Sequence, residues 1–519
     1  NPARGSSAGG PETAANAVRP RGSCRMPNKG ANVSMVNEYT KSNTGKLLAA
    51  VIAMLMVVCA VAVVAMPSTS ADAPENDFEG AQTIEVDDVA DFGATNGIVT
   101  VSQATIYKIT KDIGTADAPI DLSFNLGASV QFTTENDSKV FFKATDANGA
   151  KSGFMFTAED VVLEFNGIKA SIDSDIAGGS VINMNANDVN AAVYVTNGAT
   201  LDINQTGQSN STWMGPATQD TKSSWLVITG TADKKSTVNF NNTNSMQELA
   251  VVATNGDLNV SAKYTGLVLE GGSTFDNSAL DVTNAGYNGF QVKGTVSLKN
   301  GSSFNVAASD SLDYGSSGIG IAANDAVIDV DATSSINANS IGFMGDTNAA
   351  KITGTGKVSA TFELGTQATA GTFTLEGVTV TGNSTVDTGI TVAASGENGF
   401  IVDGNLRNKG TIDTSVAPME VTGKFTNTAD GKVDGDKPIT GSGTVTNDGT
   451  MNAPVEAPGY TDNNAADLVV YGDSTGTQWY PSKQNITVPA GETWTIIKDN
   501  YIVIPGTLNV LGNLVVEEG

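Results

Sequence analysis

The chain has 519 residues, with 28 Lys and Arg against 55 Asp and Glu, 57 Gly, two Cys and no His. Without His there is no Ser/His/Asp or Cys/His machinery and no His-ligated zinc, and the acidic balance excludes nucleic acid as a partner. Gly, Asn, Thr, Ser, Ala and Val dominate, a mix of turn formers and small β-branched residues that fits short strands joined by tight turns.

Residues 1–34 begin without Met and look unlike anything after them. They read as an upstream extension before Met35, either non-native or a disordered basic arm. Lys41 and Lys46 then precede the apolar run Leu47–Met66, and small residues at Thr69 and Ala71 follow it. Residues 35–71 therefore read as an export signal cut after Ala71. The run is also long enough to span a bilayer, so a retained N-terminal anchor is the other reading, and the only membrane contact expected. Cys24 and Cys59 both precede Ala71, which leaves the exported chain without thiols or disulfides. Residues 1–71 hold seven of the 28 basic and two of the 55 acidic residues, so the remainder carries 21 against 53. Such a surface favours solubility and cation association.

From Asp72 to Phe165, short apolar runs such as "ATIYKIT", "DLSFNL" and "VVLEF" predict less regular strands capping the open end of a solenoid. Between Ala191 and Leu364, apolar triplets recur near Tyr194, Val227, Val251, Val268, Gln291, Gly320 and Gly342, each followed by a second strand. Then "VDGNLRNKGTI", "VTGKFTNTADGKV" and "ITGSGTVTNDGTM" share one skeleton, in which Asn408, Asn427 and Asn447 recur at 19- and 20-residue intervals. That period is one coil of a solenoid. Alternation places each Asn on the inward face beside Leu406, Phe425 or Val445. An inward Asn must be satisfied, and stacked amides on successive coils can do it. The extra residues near Ala429 should bulge outward.

The fold expected is all-β: a right-handed parallel β-helix (β-solenoid) with irregular N-terminal capping strands, spanning 72–455. Its narrow core, stacked at rungs of about 4.8 Å, should favour Val, Ile, Leu, Ala and Thr and leave little room for aromatics. A linker richer in Pro and aromatics occupies 456–483, and 484–519 starts a second solenoid segment whose rhythm breaks off at Gly519.

With the signal "KLLAAVIAMLMVVCAVAVVAMPSTSADA", the "GxLxNxGTI" coils and the "IPGTLNVLGNLVVEEG" end, the chain resembles the large β-helical, adhesin-like surface proteins of methanogenic archaea, and more broadly β-solenoid adhesins. The resemblance implies a scaffold at the cell surface. It transfers no active site.

Asp329 and Asp331 would project to one face of a strand, as a glycosidase pair must, and a solvated outer face accounts for them equally. Asp430, Asp434 and Asp436 match neither an EF-hand loop nor a calcium-binding solenoid repeat. Arg407, the single Arg after residue 71, fits an outward coil position better than a lyase base. Trp213, Trp479 and Tyr480 are candidate sugar platforms. Sequons at Asn136, Asn204, Asn210, Asn241, Asn259, Asn300, Asn383 and Asn485 are about as many as this composition yields by chance. No catalytic, cofactor-binding or metal-ligating residue is assigned, and no cofactor. The expected role is an exported, non-catalytic, adhesin-like surface protein displaying loops or glycans to envelope components or to glycans and proteins of neighbouring cells. A carbohydrate-binding module is the alternative, and a glycan-degrading β-helix enzyme ranks third.

Overall fold

A computed structural model of the chain describes residues 73–463, apart from 145–151, 175–179, 185–189, 206–223, 244–247, 263–266, 286–288, 309–317 and 365–368, and then short stretches between Val469 and Glu517. The segments 1–34 and 35–71 lie outside the described residues. Among the described residues no helix is long and apolar enough to cross a membrane.

The protein is an all-β parallel solenoid. One ladder climbs from Gln82–Val86 through Thr105–Ile109, Val130–Thr134, Val161–Asn166 and Ala191–Thr196. It continues strand on strand to Lys432–Asp434 and Thr450–Met451. A second ladder runs from Lys139–Ala144 through Lys169–Ser174, Thr200–Gln205, Ser236–Thr243 and Gly256–Ala262 to Lys357–Glu363. A third face is made of shorter strands, Ile98–Val101 to Ser180–Asn183 near the start and Val268–Leu269, Phe290–Val292 and Ile319–Ile321 further on.

Alternation builds the core. In Gly371–Glu376 and Lys357–Glu363 every second residue is buried, because a pleated strand sends successive side chains to opposite faces. In-register pairing then stacks Leu201, Val238, Leu258, Leu280, Phe304 and Ile336 on one another. Aromatics are far commoner inside than the narrow-core expectation allowed. Phe124, Phe132, Phe142, Phe154 and Phe165 are all buried, with Phe124 on Phe154 at 4.8 Å and Phe132 on Phe165 at 5.5 Å. A ring laid parallel on a ring fits the rung spacing, and Phe carries no polar atom to satisfy.

The N-terminal strands pair in parallel with the rungs above them on the first and second ladders, while Ile98–Val101, Ser123–Leu126, Ser152–Phe156 and Ser180–Asn183 form a separate four-stranded sheet. A single 3₁₀ turn, Val89–Phe92, inserts Phe92 against Tyr107, Phe124 and Phe142 at 5.2, 5.8 and 6.1 Å, and so covers the apolar end. Asp88 and Asp91 close that turn with a reciprocal capping box. Just upstream, Ala73 and Phe78 lie on the outside of the first ladder, over a patch of Val162, Ala192, Trp225, Val227 and Ala250. The Tyr194 hydroxyl donates to the Pro74 carbonyl at 2.8 Å across 120 residues of sequence.

The corners have unequal chemistry. After first-ladder strands the turns are tight, with Asn197, Asn255, Asn277 and Asn300 in the left-handed region, where Asn is tolerated better than other side chains. Buried serines bridge these corners from coil to coil: Ser278 Oγ accepts from Gly256 N at 3.0 Å, Ser302 Oγ from Ser278 N at 3.1 Å and Ser334 Oγ from Ser302 N at 3.1 Å. The sequence spacing from a second-ladder strand to the next strand varies, from four residues between Ser236–Thr243 and Glu248–Thr254 to 18 between Thr200–Gln205 and Ser224–Thr229.

The main ladder runs past the expected limit at 455, since Gly459–Asp462 pairs with Thr444–Asn447. Further on, Asn485–Val488 pairs in parallel with Thr507–Val510, and Thr493–Ile496 with Asn513–Val516, as a second solenoid segment requires.

Candidate functional site

The repeat that stands out in the sequence forms a buried amide ladder. Asn408 pairs with Asn427 and Asn427 with Asn447, with Leu406, Phe425 and Val445 in register beside them. The three Asn are 0–2 % exposed. Asn408 Nδ2 donates to Asn427 Oδ1 at 2.8 Å, Asn427 Nδ2 to Asn447 Oδ1 at 2.7 Å, and Asn447 Nδ2 to Asp462 Oδ1 at 3.0 Å. The second amide hydrogens reach Lys432 O at 2.9 Å and Thr450 O at 3.0 Å. Close packing accounts for the Gly that follows each Asn: a Cβ on Gly431 would meet Asn427 Oδ1 at 2.3 Å. This ladder is structural, with every polar group occupied.

The same three coils present a different chemistry outward. Between the buried Leu406 and Asn408 stands Arg407, in register with Thr426, while Asn405 is in register with Lys424. These outward side chains, with Lys409, Thr428, Asp430 and Asp448, line a cleft of about 650 Å³. Lys409 is held by Asp387 at 3.3 Å. Among the described residues neither Arg407 nor Lys424 has an ion-pair partner. Ala429 and Asp430 are exposed, as expected of an outward bulge.

The other candidates are occupied or lie elsewhere. Asp329 points outward between Ser297 and Thr353 on neighbouring rungs. Asp331 sits in the turn beyond and accepts from Asn300 N at 2.6 Å and from Thr333 N and Oγ1 at 2.9 Å. Burial would raise its carboxyl, but these donors and Ser334 outweigh that and hold it at about 2, far from a general acid. Asp434 accepts from Asn452 Nδ2 at 2.7 Å and pairs with Lys432 at 2.5 Å. Asp430 and Asp436 are exposed. Among the described residues no group of three or more His, Cys, Asp and Glu could hold a metal ion. Trp213, Trp479, Tyr480 and Asn210 lie outside the described residues, as does the side chain of Asn485.

Five sequons are engaged in the ladders. Asn136 Nδ2 donates to Thr110 O at 2.9 Å, and the Nδ2 groups of Asn204, Asn241, Asn259 and Asn300 each donate to an Asp or Asn one coil away at 2.8 Å. Asn383 is exposed and only accepts, from Asn405 Nδ2 at 3.3 Å.

One arrangement escaped the sequence. Lys293 lies between Glu248, with which it pairs, and Glu270 at 3.5 Å. Burial pushes the Glu270 carboxyl up and the Lys293 ammonium down, as it does for any charge removed from water. The ammonium is paired with both carboxylates. We read it as a charge-neutralising bridge across successive coils. Only the register, invisible in a single sequence, brings the three together.

No family model, curated protein or solved structure matches this chain.

Proposed function

We propose that the chain is an exported, non-catalytic cell-surface solenoid of adhesin-like type, which holds variable segments out from a constant ladder. The observation that carries this is the inequality of the corners. One corner keeps a tight Asn turn at Asn197, Asn255, Asn277 and Asn300, while the sequence spacing from a second-ladder strand to the next strand ranges from four residues after Ser236–Thr243 to 18 after Thr200–Gln205. Loops of unequal length on a regular scaffold are the usual carriers of recognition. The export segment at 35–71 and the acidic surface support the same setting.

Fractionation of native cells followed by N-terminal sequencing tests it. The chain is expected in the envelope or medium, starting at Asp72 or retaining Leu47–Met66 as an anchor. Recovery from the cytoplasm with Met35 still attached would overturn it. Carbohydrate binding is the second reading, favoured by the polar cleft around Arg407.

A further inference from the structure

We propose that the cleft over Arg407, Lys424 and Asp430 binds an acidic sugar, with the sugar carboxylate on the Arg407 guanidinium and its hydroxyls on the threonines and aspartates opposite. This deepens the carbohydrate-binding reading and is independent of where the protein is exported.

The three coils compared side by side carry the argument. Asn and Gly are separated by one residue in Asn408-Lys409-Gly410 and in Asn447-Asp448-Gly449, but by three in Asn427-Thr428-Ala429-Asp430-Gly431. The insertion leaves the buried ladder intact, since Asn427 still bonds both neighbours. What it changes is the outside, where Ala429 and Asp430 line the cleft. A departure from the repeat that contributes nothing inward and shapes a cavity outward is what a binding feature looks like.

Charge points the same way. The chain beyond residue 71 has 21 basic residues against 53 acidic ones, and a single Arg. That Arg faces the cleft beside Lys424, one rung away, with no ion-pair partner for either among the described residues. Two like charges on adjacent rungs repel, and an anion between them relieves the repulsion. A guanidinium offers a planar fork matched to a carboxylate. Asp430 and Asp448, with Thr426 and Thr428, line the same cleft, and the Thr428 hydroxyl, which donates to Asn408 O at 2.8 Å, can still accept. Carboxylates there reject a uniform polyanion but accept hydroxyl donors. One anionic group on a hydroxyl-rich ring satisfies both sets. The inward Leu406, Asn408, Phe425 and Asn427 fix the backbone of the two strands that carry these groups, so little ordering is required on binding.

Titration calorimetry of the purified full chain with a galactose trisaccharide carrying a single galacturonic acid residue tests the proposal, with the neutral trigalactoside and a singly sulfated trisaccharide as comparisons. One saturable site is expected for the uronate, with none for the neutral sugar and weaker binding of the sulfated one. The Kd should rise about tenfold or more in Arg407→Gln/Lys424→Gln, the loss expected of charge-assisted hydrogen bonds. Deleting Ala429 and Asp430 should do the same, and unchanged melting of both variants would confirm that the ladder survives. Absence of saturable uronate binding, equal binding of the neutral sugar, tighter binding of the sulfated sugar or an unaltered Kd in both variants would each overturn it.

Discussion

Replacing Asn427 by Leu probes the amide ladder at its centre. The side chain is fully buried and makes three hydrogen bonds: it donates to Asn447 Oδ1 and Thr450 O and accepts from Asn408 Nδ2. At about 1 kcal/mol each these contribute about 3 kcal/mol. The change also strands one amide hydrogen of Asn408, at a further 1–3 kcal/mol or so. Asn408 keeps its bond to Lys432 O at 2.9 Å, and Asn447 Oδ1 still accepts from Gly449 N at 3.2 Å, so neither neighbour is left bare. Burying Leu returns about 1.5–3 kcal/mol. The net is a loss of about 3 kcal/mol. Coils of a solenoid need not unfold together, so the assay is native-state hydrogen exchange of peptides covering 405–451, which reads local stability. A loss of about 3 kcal/mol is a factor of about 150 in protection. The double variant Asn408→Leu/Asn427→Leu should cost clearly less than the two single changes added together, because removing both partners removes the stranded hydrogen. A protection change below about threefold, or strict additivity, would refute the reasoning.

Phe92→Ala should cost about 3–5 kcal/mol, seen as exchange confined to the coils around Tyr107, Phe124 and Phe142; uniform loss along the solenoid would contradict its role as an end plug. Asp331→Asn tests an acid-sensitive corner. The folded carboxyl stands at about 2, below its ordinary 3.8, so its contribution is complete above about pH 4 and is lost as pH falls through 2. The variant should therefore melt lower than wild type at pH 7 and level with it near pH 2, and a constant difference would be the contrary result. Phe78→Ala should free the segment lying over Trp225 and shift tryptophan emission to the red with the β-sheet circular dichroism unchanged. No shift would mean that the segment does not shield Trp225. Peptide mapping of a natively glycosylated sample should find Asn383 occupied ahead of Asn204, Asn241, Asn259 and Asn300, whose amide nitrogens are already engaged.

The parts of the fold legible in the sequence are those repeating at constant interval. Asn408, Asn427 and Asn447 stand one coil apart with identical inward neighbours, so spacing alone fixed their register. The triplets near Tyr194, Val227 and Val251 were harder to place. They belong to the first ladder, whereas those near Val268, Gln291 and Gly320 belong to the third face, and Glu248–Thr254 pairs with both Val268–Leu269 and Ser273–Asp276. Apolar triplets look alike on every face, so the switch left no mark. The Ser278, Ser302 and Ser334 stack was hidden by the abundance of Ser, and the contact of Tyr194 with Pro74 by its sequence separation. At the cleft, strand alternation alone places Arg407 outward, but its position one rung from Lys424 follows only from the coil register.

Alternation along one strand explains why scaffold and recognition can coexist there. Within Asn405–Asn408 the inward Leu406 and Asn408 must match their equivalents one rung away, because a misfit leaves a void or an orphaned amide. Inward positions across the three coils accordingly read Leu, Phe, Val and Asn, Asn, Asn. The outward positions carry no such constraint and read Arg407, Thr426, Thr446 and Asn405, Lys424, Thr444. Thr is the default for an exposed strand site, being β-branched and polar. Among the departures from Thr on the outer face, Asn405 bonds Asn383 one rung away, whereas Arg407 and Lys424 have no ion-pair partner among the described residues. In these coils the outward Arg407 and Lys424 depart from that default on adjacent rungs, beside the inserted Ala429 and Asp430, so the proposed sugar site lies on the face opposite the buried amides.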